Sequence, residues 1–352
     1  MKIFLILFIF FSILFAANMT GTKNNNIERK INFDLPVVKK GWQGNIVIDG
    51  RFSYDTVADY KSLSAGLKLG FSRNPQKEEK RNDTFQLHVQ HFNSASMPEN
   101  SIVWFGQSSF LININGIRLI TDPSFFNMGF IKRKAVLPCH IDSLKPINYL
   151  LVSHDHRDHF GKKSVESLVS NNPDVEALIP LCGGRLFSGK ILSNVKMQEA
   201  GWYQEYKLTD DIRVVFLPAK HGGRRGLTDA NKVLWGSFLI ITDIVKIFFA
   251  GDTAYDEQIF KEIYNLFGEI DICMLPIGSY SPQWFMSDIH TTPEEAVQIF
   301  LDLRGKWLIP MHYGTFDQSD EPLGEPLIRL LNCGINNKIK VLDIGEEFLF
   351  FQ

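Results

Sequence analysis

A cluster of histidines and aspartates directly after an apolar segment most constrains what this chain can fold into. The segment Tyr149-Leu150-Leu151-Val152 is short and apolar, which predicts a buried strand. Residues 153–159 follow with the sequence Ser-His-Asp-His-Arg-Asp-His, on the loop that leaves this strand. Imidazole nitrogens and carboxylate oxygens are ligands that suit Zn²⁺, Fe²⁺ or Mn²⁺. The stretch therefore predicts a metal centre rather than a solvated polar loop.

Three more residues of metal-binding type follow apolar strands later in the chain, namely His221, Asp252 and His312. Because loops at the strand ends of a packed sheet project to one edge, we expect them to converge on the histidine stretch. The expected ligands are His154, His156 and His221 for one ion, and Asp158, His159 and His312 for the other. Asp252 would bridge the two ions, and Asp158 is also placed to orient a shared water.

Apolar runs and turn residues along the chain predict a mixed α/β fold. Asn115-Gly116 between two apolar runs indicates a β-hairpin, and Thr292-Pro293-Glu294-Glu295 indicates the start of a helix. The predicted strands cover 102–105, 110–114, 117–121, 149–153, 175–181, 212–217, 233–242, 245–250, 270–276 and 307–311. The predicted helices cover 163–171, 256–267 and 292–303. This order favours two sheets packed together with helices outside them.

The N-terminal part differs from the rest. A single positive charge at Lys2 precedes an apolar run that ends at Ala16-Ala17, a pattern typical of a secretory signal peptide. An uncleaved membrane anchor is the alternative, although the run is short for a spanning helix. Residues 18–100 are expected to wrap the core as an extension, and residues 101–352 to form the main domain. We therefore expect an exported or membrane-associated protein, in preference to one at the cytoplasmic membrane face.

Composition excludes some functions. The net charge is −2 and no polybasic run is present, so the chain has no electrostatic footprint for nucleic acid. The cysteines Cys139, Cys182, Cys273 and Cys333 are widely spaced, which argues against a zinc ribbon or a disulfide scaffold. Cys273 lies in an apolar run and is expected to be buried.

The metal-binding residues carry a resemblance to a known family. The pattern His154-x-His156-x-Asp158-His159 resembles the signature of the metallo-β-lactamase superfamily. Later blocks are similar to the N-acyl-phosphatidylethanolamine-hydrolysing phospholipase D family within it, and residues 276–316 are the most specific of them. That family usually has Gly-His where this chain has Gly106-Gln107, and often Trp where Gly222-Gly223 follows His221.

The resemblance implies a four-layer αβ/βα sandwich with two Zn²⁺ ions, with iron or manganese as alternatives. It implies hydrolysis of a phosphodiester by a hydroxide held between the ions, which releases phosphatidic acid and N-acylethanolamine. His290 aligns with a functional histidine of the family and would bind the phosphate or protonate the leaving alkoxide. Trp284, Phe285 and Met286 would line an apolar substrate groove. The implied partners are a phospholipid substrate, a membrane surface and a second copy of the chain in a homodimer.

Two other functions fit the same residues. A lactonase or other ester hydrolase would use the same pair of ions on a different substrate. A lipid-binding protein without activity would need the apolar residues but not the complete set of metal ligands, so the complete set argues against it.

Overall fold

The structure is a computed structural model that describes residues 26–55, 68–208, 211–226 and 228–350. The signal peptide or anchor predicted at residues 1–17 lies outside these ranges. None of the helices within them is long and apolar enough to cross a membrane. All four cysteines lie within them and none forms a disulfide there. Cys273 is buried, as predicted.

Runs of consecutive strands are separated by helices along the described chain. The strands are β1 (Ile27–Lys30), β2 (Asn45–Ile48), β3 (Arg51–Phe52), β4 (Ser101–Trp104), β5 (Phe110–Ile114), β6 (Ile117–Thr121), β7 (Tyr149–Leu151), β8 (Glu176–Pro180), β9 (Lys196–Ala200), β10 (Gln204–Tyr206), β11 (Arg213–Leu217), β12 (Ser237–Ile241), β13 (Lys246–Phe249), β14 (Ile272–Pro276), β15 (Trp307–Met311) and β16 (Glu347–Leu349). The helices are α1 (Lys77–Asn82), α2 (Lys162–Asn171), α3 (Glu257–Phe267), α4 (Gln283–Met286), α5 (Pro293–Asp302) and α6 (Glu325–Leu331).

Two large sheets form the body of the molecule. One has seven strands in the order β16-β4-β5-β6-β7-β8-β9, and the other has six in the order β10-β11-β12-β13-β14-β15. Within the first, β6 to β9 are parallel, and within the second, β13 to β15 are parallel. The carboxyl ends of parallel neighbours lie at the same edge, so each sheet presents a row of loops there.

Alternating side chains of β4 show how the layers pack. Ile102 and Trp104 belong to the core between the two sheets, which also contains Phe238 and Phe249. Val103 instead belongs to a second core, with Val165 of α2, on the outer face of the seven-stranded sheet. Helices α3 and α5 cover the outer face of the six-stranded sheet through residues that extend the first core. Successive side chains of a strand point to opposite faces, which is why β4 contributes to both cores. The predicted sandwich of two sheets with outer helices is confirmed.

Several element boundaries follow from local chemistry. Asn115 and Gly116 both have positive φ in the β5–β6 hairpin, as expected for such a turn. Thr292 caps α5 in a reciprocal capping box with Glu295, and Gly268 ends α3 at a φ of 74°. These features are where the sequence predicted them.

Other boundaries differ from the prediction. The strand predicted from residue 233 begins at Ser237 in β12, because Trp235 is held in the preceding loop by donating its Nε1–H to Ala219 O at 2.9 Å. Strands β9, β10 and β16 were not predicted. The N-terminal strands β1–β2–β3 form a separate small sheet, and the segment after β1 bonds to β10 through Glu205 N and Pro36 O at 3.0 Å.

Candidate metal centre

All seven predicted ligands meet at one edge of the two sheets. Within the described residues they form two groups that share Asp252, and the ligand atoms of each group lie within 4.8 Å of one another. The first group contains His154, His156, His221 and Asp252, and the second contains Asp158, His159, Asp252 and His312. The structure therefore groups these residues as the sequence prediction did.

Asp252 lies between the two groups. Its Oδ2 atom is 3.1 Å from His159 Nε2 and 3.2 Å from His312 Nε2. The same oxygen is 3.8 Å from His221 Nε2 and 3.9 Å from His154 Nε2. One carboxylate thus reaches imidazoles of both groups, as a bridging ligand must.

Gly251 allows Asp252 to reach this position. Its φ is 59°, and a Cβ at this residue would lie 2.7 Å from the Cβ of Ser153. A larger residue would push the end of β13 away from the loop that carries His154, because both the backbone angle and the space favour glycine here.

Asp122 orients imidazoles of both groups. His159 Nδ1 donates to Asp122 Oδ2 at 2.7 Å, and the Ser153 hydroxyl donates to the same oxygen at 2.5 Å. His154 Nδ1 lies 2.9 Å from Ser153 Oγ, so it donates to that oxygen. These bonds leave the Nε2 atoms of His154 and His159 as the nitrogens that can coordinate a metal ion, which is the usual arrangement for ligand histidines. In the sequence, Asp122 follows the strand predicted at 117–121 and is a candidate partner for a ligand imidazole or a turn residue. Its contacts with imidazoles of both groups are evident only in the structure.

His221 is oriented by a different partner. Its Nδ1 donates to Ile289 O at 2.7 Å, and its Nε2 faces His156 Nδ1 at 3.2 Å. His154 Nε2 faces the same His156 nitrogen at 2.9 Å. Ile289 directly precedes His290, so a ligand imidazole is linked to the segment that carries this predicted catalytic residue.

Arg225 holds the loop of residues 153–160 through two of its backbone carbonyls, and the sequence did not predict this role. Its Nη1 donates to Asp155 O at 2.8 Å and to Phe160 O at 2.9 Å. These two carbonyls lie on either side of His156, Asp158 and His159. A guanidinium with several donors is suited to holding such a loop in one shape.

The residues fit divalent cations on chemical grounds. Three imidazole nitrogens of the first group point at one another, and their lone pairs are best stabilised by a cation between them. Among the described residues, the buried His159 Nε2 and Asp252 Oδ1 have no hydrogen-bond partner. Buried polar atoms without a partner are rare and need an explanation. Cation binding would satisfy both atoms.

The histidines of the two groups differ in the direction in which their pKa is shifted. Burial lowers the pKa of His154, His156 and His221, the last to about 3. Burial also opposes protonation of His312, but the carboxylates of Asp252 and Asp158 outweigh it and raise its pKa to about 9. The pKa of His159 is raised for the same reason.

Binding of the second ion should therefore release protons. Without a cation, protonated His159 and His312 offset the carboxylates of Asp158 and Asp252, and a ligand imidazole must be deprotonated to bind metal. The apparent affinity of the second group should rise with pH through about 9, the pKa of His312, because both His312 and His159 must lose a proton to bind the ion. Calorimetric Zn²⁺ titrations in two buffers of different ionisation enthalpy measure the released protons. Equal heats in both buffers would contradict this prediction.

The remaining predicted site residues lie in the segment that follows β14. His290 is buried, with Nδ1 3.8 Å from Asp252 Oδ2, and its ring stacks on His312 with centroids 5.4 Å apart. Trp284, Phe285 and Met286 form α4, and the backbone N–H of His290 donates to Met286 O at 2.9 Å. The structure brings His290 to the metal centre, whereas α4 lies just outside it.

Comparison with known proteins gives a match to a protein family and matches to individual proteins. Residues 117–313 match the beta-lactamase superfamily domain. The chain is 31% identical to N-acyl-phosphatidylethanolamine-hydrolyzing phospholipase D 1 of Caenorhabditis elegans over 60% of this chain and 63% of that protein. It is 30% identical to a UPF0173 metal-dependent hydrolase of Pyrobaculum neutrophilum over 61% of this chain and 84% of that protein. The chain thus spans less than two thirds of the worm protein's length.

Solved structures share the fold. Igni18, a metallo hydrolase of the archaeon Ignicoccus hospitalis, superposes with a TM-score of 0.54 at 18% identity, over 70% of this chain and 97% of that one. At this identity the likeness concerns the arrangement of the sheets and helices alone.

Proposed function

Because this chain belongs to the β-lactamase superfamily and is a metal-dependent hydrolase, we propose that it cleaves N-acyl-phosphatidylethanolamine-like lipids. Water would be added across the phosphodiester to give phosphatidic acid and N-acylethanolamine. The proposal takes its substrate class from the similarity to the C. elegans enzyme. The observation that carries it is the presence of exposed aromatic side chains on segments attached to the metal centre.

Four aromatic residues form what we call the aromatic rim, namely Phe126, Phe130, Trp284 and Phe285. Phe130 is 82% exposed and Trp284 is 43% exposed, while Phe126 and Phe285 are half-buried. Phe125, which precedes them, is instead buried in the outer core. Large exposed aromatic side chains beside a polar centre suit a substrate with acyl chains and a phosphate.

Both segments of the aromatic rim are bonded to loops that carry ligands. The segment after Phe130 bonds to the loop after His312, where Lys134 N donates to Thr315 O at 2.8 Å. The α4 segment is bonded to the ligand His221 through Ile289 O. Exposed aromatic side chains are therefore carried on two segments that are hydrogen-bonded to ligand-bearing parts of the chain.

The ligand groups define what each residue would do. Two divalent cations held by them would polarise the phosphate oxygens and lower the pKa of a shared water. Asp252, whose carboxylate lies close to imidazoles of both groups, would be a ligand shared by the two cations. Asp158, whose side chain is 13% exposed, would orient the water for attack on phosphorus. The bond from phosphorus to the ethanolamine oxygen would break, and that oxygen would take up a proton released by the attacking water.

His290 is better suited to binding than to supplying that proton. Burial lowers its pKa well below the usual range, so the ring is neutral at physiological pH and carries one N–H. A neutral imidazole can donate a hydrogen bond to a phosphate or leaving oxygen as charge develops there. Of the two roles predicted for His290, we therefore assign it phosphate binding and not protonation of the leaving alkoxide.

The other parts of the proposal concern metal, partners and location. Zinc is the proposed metal, although nitrogen and oxygen ligands also accept iron or manganese. A membrane surface would present the substrate to the aromatic rim, and a homodimer and an exported or membrane-associated location complete the proposal. A lactonase would use the same centre, but exposed aromatic side chains on two segments joined to it favour a substrate with long acyl chains.

The decisive experiment compares substrates directly. Purified protein loaded with Zn²⁺ is incubated in water enriched in ¹⁸O with N-acyl-phosphatidylethanolamine in mixed micelles, or with an N-acyl lactone. Mass spectrometry should find N-acylethanolamine without label and phosphatidic acid with one ¹⁸O, since water attacks phosphorus. Chelator-treated protein serves as the control and should release neither product.

Two results would contradict the proposal. Faster opening of the lactone than cleavage of the phospholipid would favour the lactonase function. Lipid binding without turnover by protein that holds two zinc ions would favour a binding protein.

A further inference from the structure

Two glutamine side chains contact the same ligand of the metal centre. Gln107 Nε2 donates to Asp158 Oδ2 at 2.9 Å, and Gln318 Nε2 donates to the same oxygen at 2.8 Å. The two glutamines are 51 and 160 positions from Asp158. A carboxylate can only accept hydrogen bonds, so both amide groups must turn their NH₂ towards it.

Gln107 is held in place by its own backbone. It is 1% exposed, and its φ of 52° lies in the left-handed region. Its N–H donates to Thr315 Oγ1 at 2.7 Å, and its carbonyl accepts from Trp104 Nε1 at 3.0 Å and from the backbone N–H of His312 at 3.1 Å. The residue that bonds to Asp158 through its side chain therefore also fixes the backbone of His312, a second ligand of the same group.

Gln318 approaches from the opposite loop. It follows β15 and is half-buried, and its Nε2 also lies 3.4 Å from Ser279 Oγ. Ser279 follows β14 and donates its backbone N–H to the buried carboxylate of Glu321 at 2.6 Å. The second amide is thus supported by the loops after two neighbouring parallel strands.

Both amides act on the oxygen that faces the other ligands. Asp158 Oδ2 is 3.2 Å from His312 Nε2 and 3.6 Å from His159 Nε2. A free carboxylate can rotate and bind one ion with either oxygen or both. Two donors on one oxygen restrict that rotation, because any turn about the side chain breaks a bond to a charged acceptor.

We propose that Gln107 and Gln318 are positioning residues that hold the Asp158 carboxylate in a single orientation and thereby set the affinity of the second metal ion. The two amides do not touch the substrate in this role. The inference requires the dinuclear centre of the proposed function, but it is independent of which ester is cleaved.

The test measures metal affinity separately from activity. Gln107→Met and Gln318→Leu keep the approximate volume of each side chain and remove the donor. Zn²⁺ is titrated against a chromophoric chelator into the metal-free full-length chain. We expect two binding constants for the unchanged protein, and in each variant a fall of about 10–100-fold in one of them, the same one in both variants, as is typical for loss of a ligand's hydrogen-bond partner.

Two other glutamines provide matched controls. Gln204 is fully buried and donates to the backbone carbonyls of Asn32 and Leu35, so Gln204→Met tests the loss of a buried amide far from any ligand. Gln198 is half-buried and bonds to Glu176 at 2.9 Å, and Gln198→Leu is the control for Gln318→Leu. Both controls should lower the melting temperature at most and leave both zinc constants unchanged.

The outcomes distinguish a positioning role of the two glutamines from a general loss of stability and from the absence of a dinuclear centre. Equal losses of zinc affinity in Gln107→Met and Gln204→Met would show a general loss of stability and overturn the inference. Unchanged constants in both test variants would also overturn it. Failure of the unchanged protein to bind zinc would instead contradict the proposed dinuclear centre itself.

Discussion

Asp252→Asn should abolish hydrolysis almost completely. Asparagine keeps the shape of the side chain but replaces the charged oxygen that lies 3.1–3.2 Å from two imidazoles. Loss of an outer hydrogen-bond partner costs about 10–100-fold in metal affinity or activity, and loss of a shared ligand should exceed that range. We expect kcat/KM to fall by more than about 100-fold, and metal analysis to find fewer than two ions per chain.

Asp256→Asn is the matched control for this change. Asp256 caps α3 by accepting from the backbone N–H of Gln258 at 3.0 Å, and asparagine caps helices about equally well. This variant should retain both ions and its activity. If Asp252→Asn kept two ions and full activity, the bridging role of Asp252 would be wrong.

His290→Ala should have the second largest effect, because alanine has no side-chain donor. The imidazole ring lies against His221 and His312, where a phosphate held by both ions would be within its reach. Removal of one preorganised donor to a developing charge typically costs about 10²–10³-fold in kcat. We therefore expect a loss of this size in kcat, with both ions retained.

The pH dependence distinguishes the two roles of His290. Burial lowers the pKa of His290, so the ring stays neutral as pH falls through 6.5 and contributes no acidic limb in that range. His290→Ala should lower kcat by the same factor from about pH 6 to 9 and leave the shape of the profile unchanged. His140→Ala is the control, because the His140 side chain is exposed and its Nδ1 lies 3.2 Å from the exposed carboxylate of Asp142. Loss of one limb of the profile in His290→Ala would indicate proton transfer instead.

Asp122 shows how far local sequence could lead towards the site. Its place at the end of β6 marked it as a candidate partner for an imidazole, with a turn as the alternative. Only the parallel pairing of β6 with β7 brings it against both His159 and Ser153. The sequence could suggest the chemistry of this residue, but the partners depend on which strands become neighbours.

The edges of the sheets were harder to predict than their centres. The central strands β12 and β14 are apolar runs buried on both faces, which local sequence reveals. Strand β9 has the sequence Lys-Met-Gln-Glu-Ala and is only partly buried, so its strand conformation depends on pairing with β8. The single-turn helix α4 is likewise too short to have a periodic pattern.

The sequence by itself determined the ligand types, their positions at strand ends and the caps that start and stop the main helices, because these depend on residues close together in the chain. Tertiary structure decided how those ligands are oriented. Gln107, Gln318 and Arg225 reach the centre from 51 to 160 positions away, and their local sequence does not reveal which part of the centre each one contacts. Orientation of a ligand depends on its neighbours in space, and those exist only once both sheets have packed together.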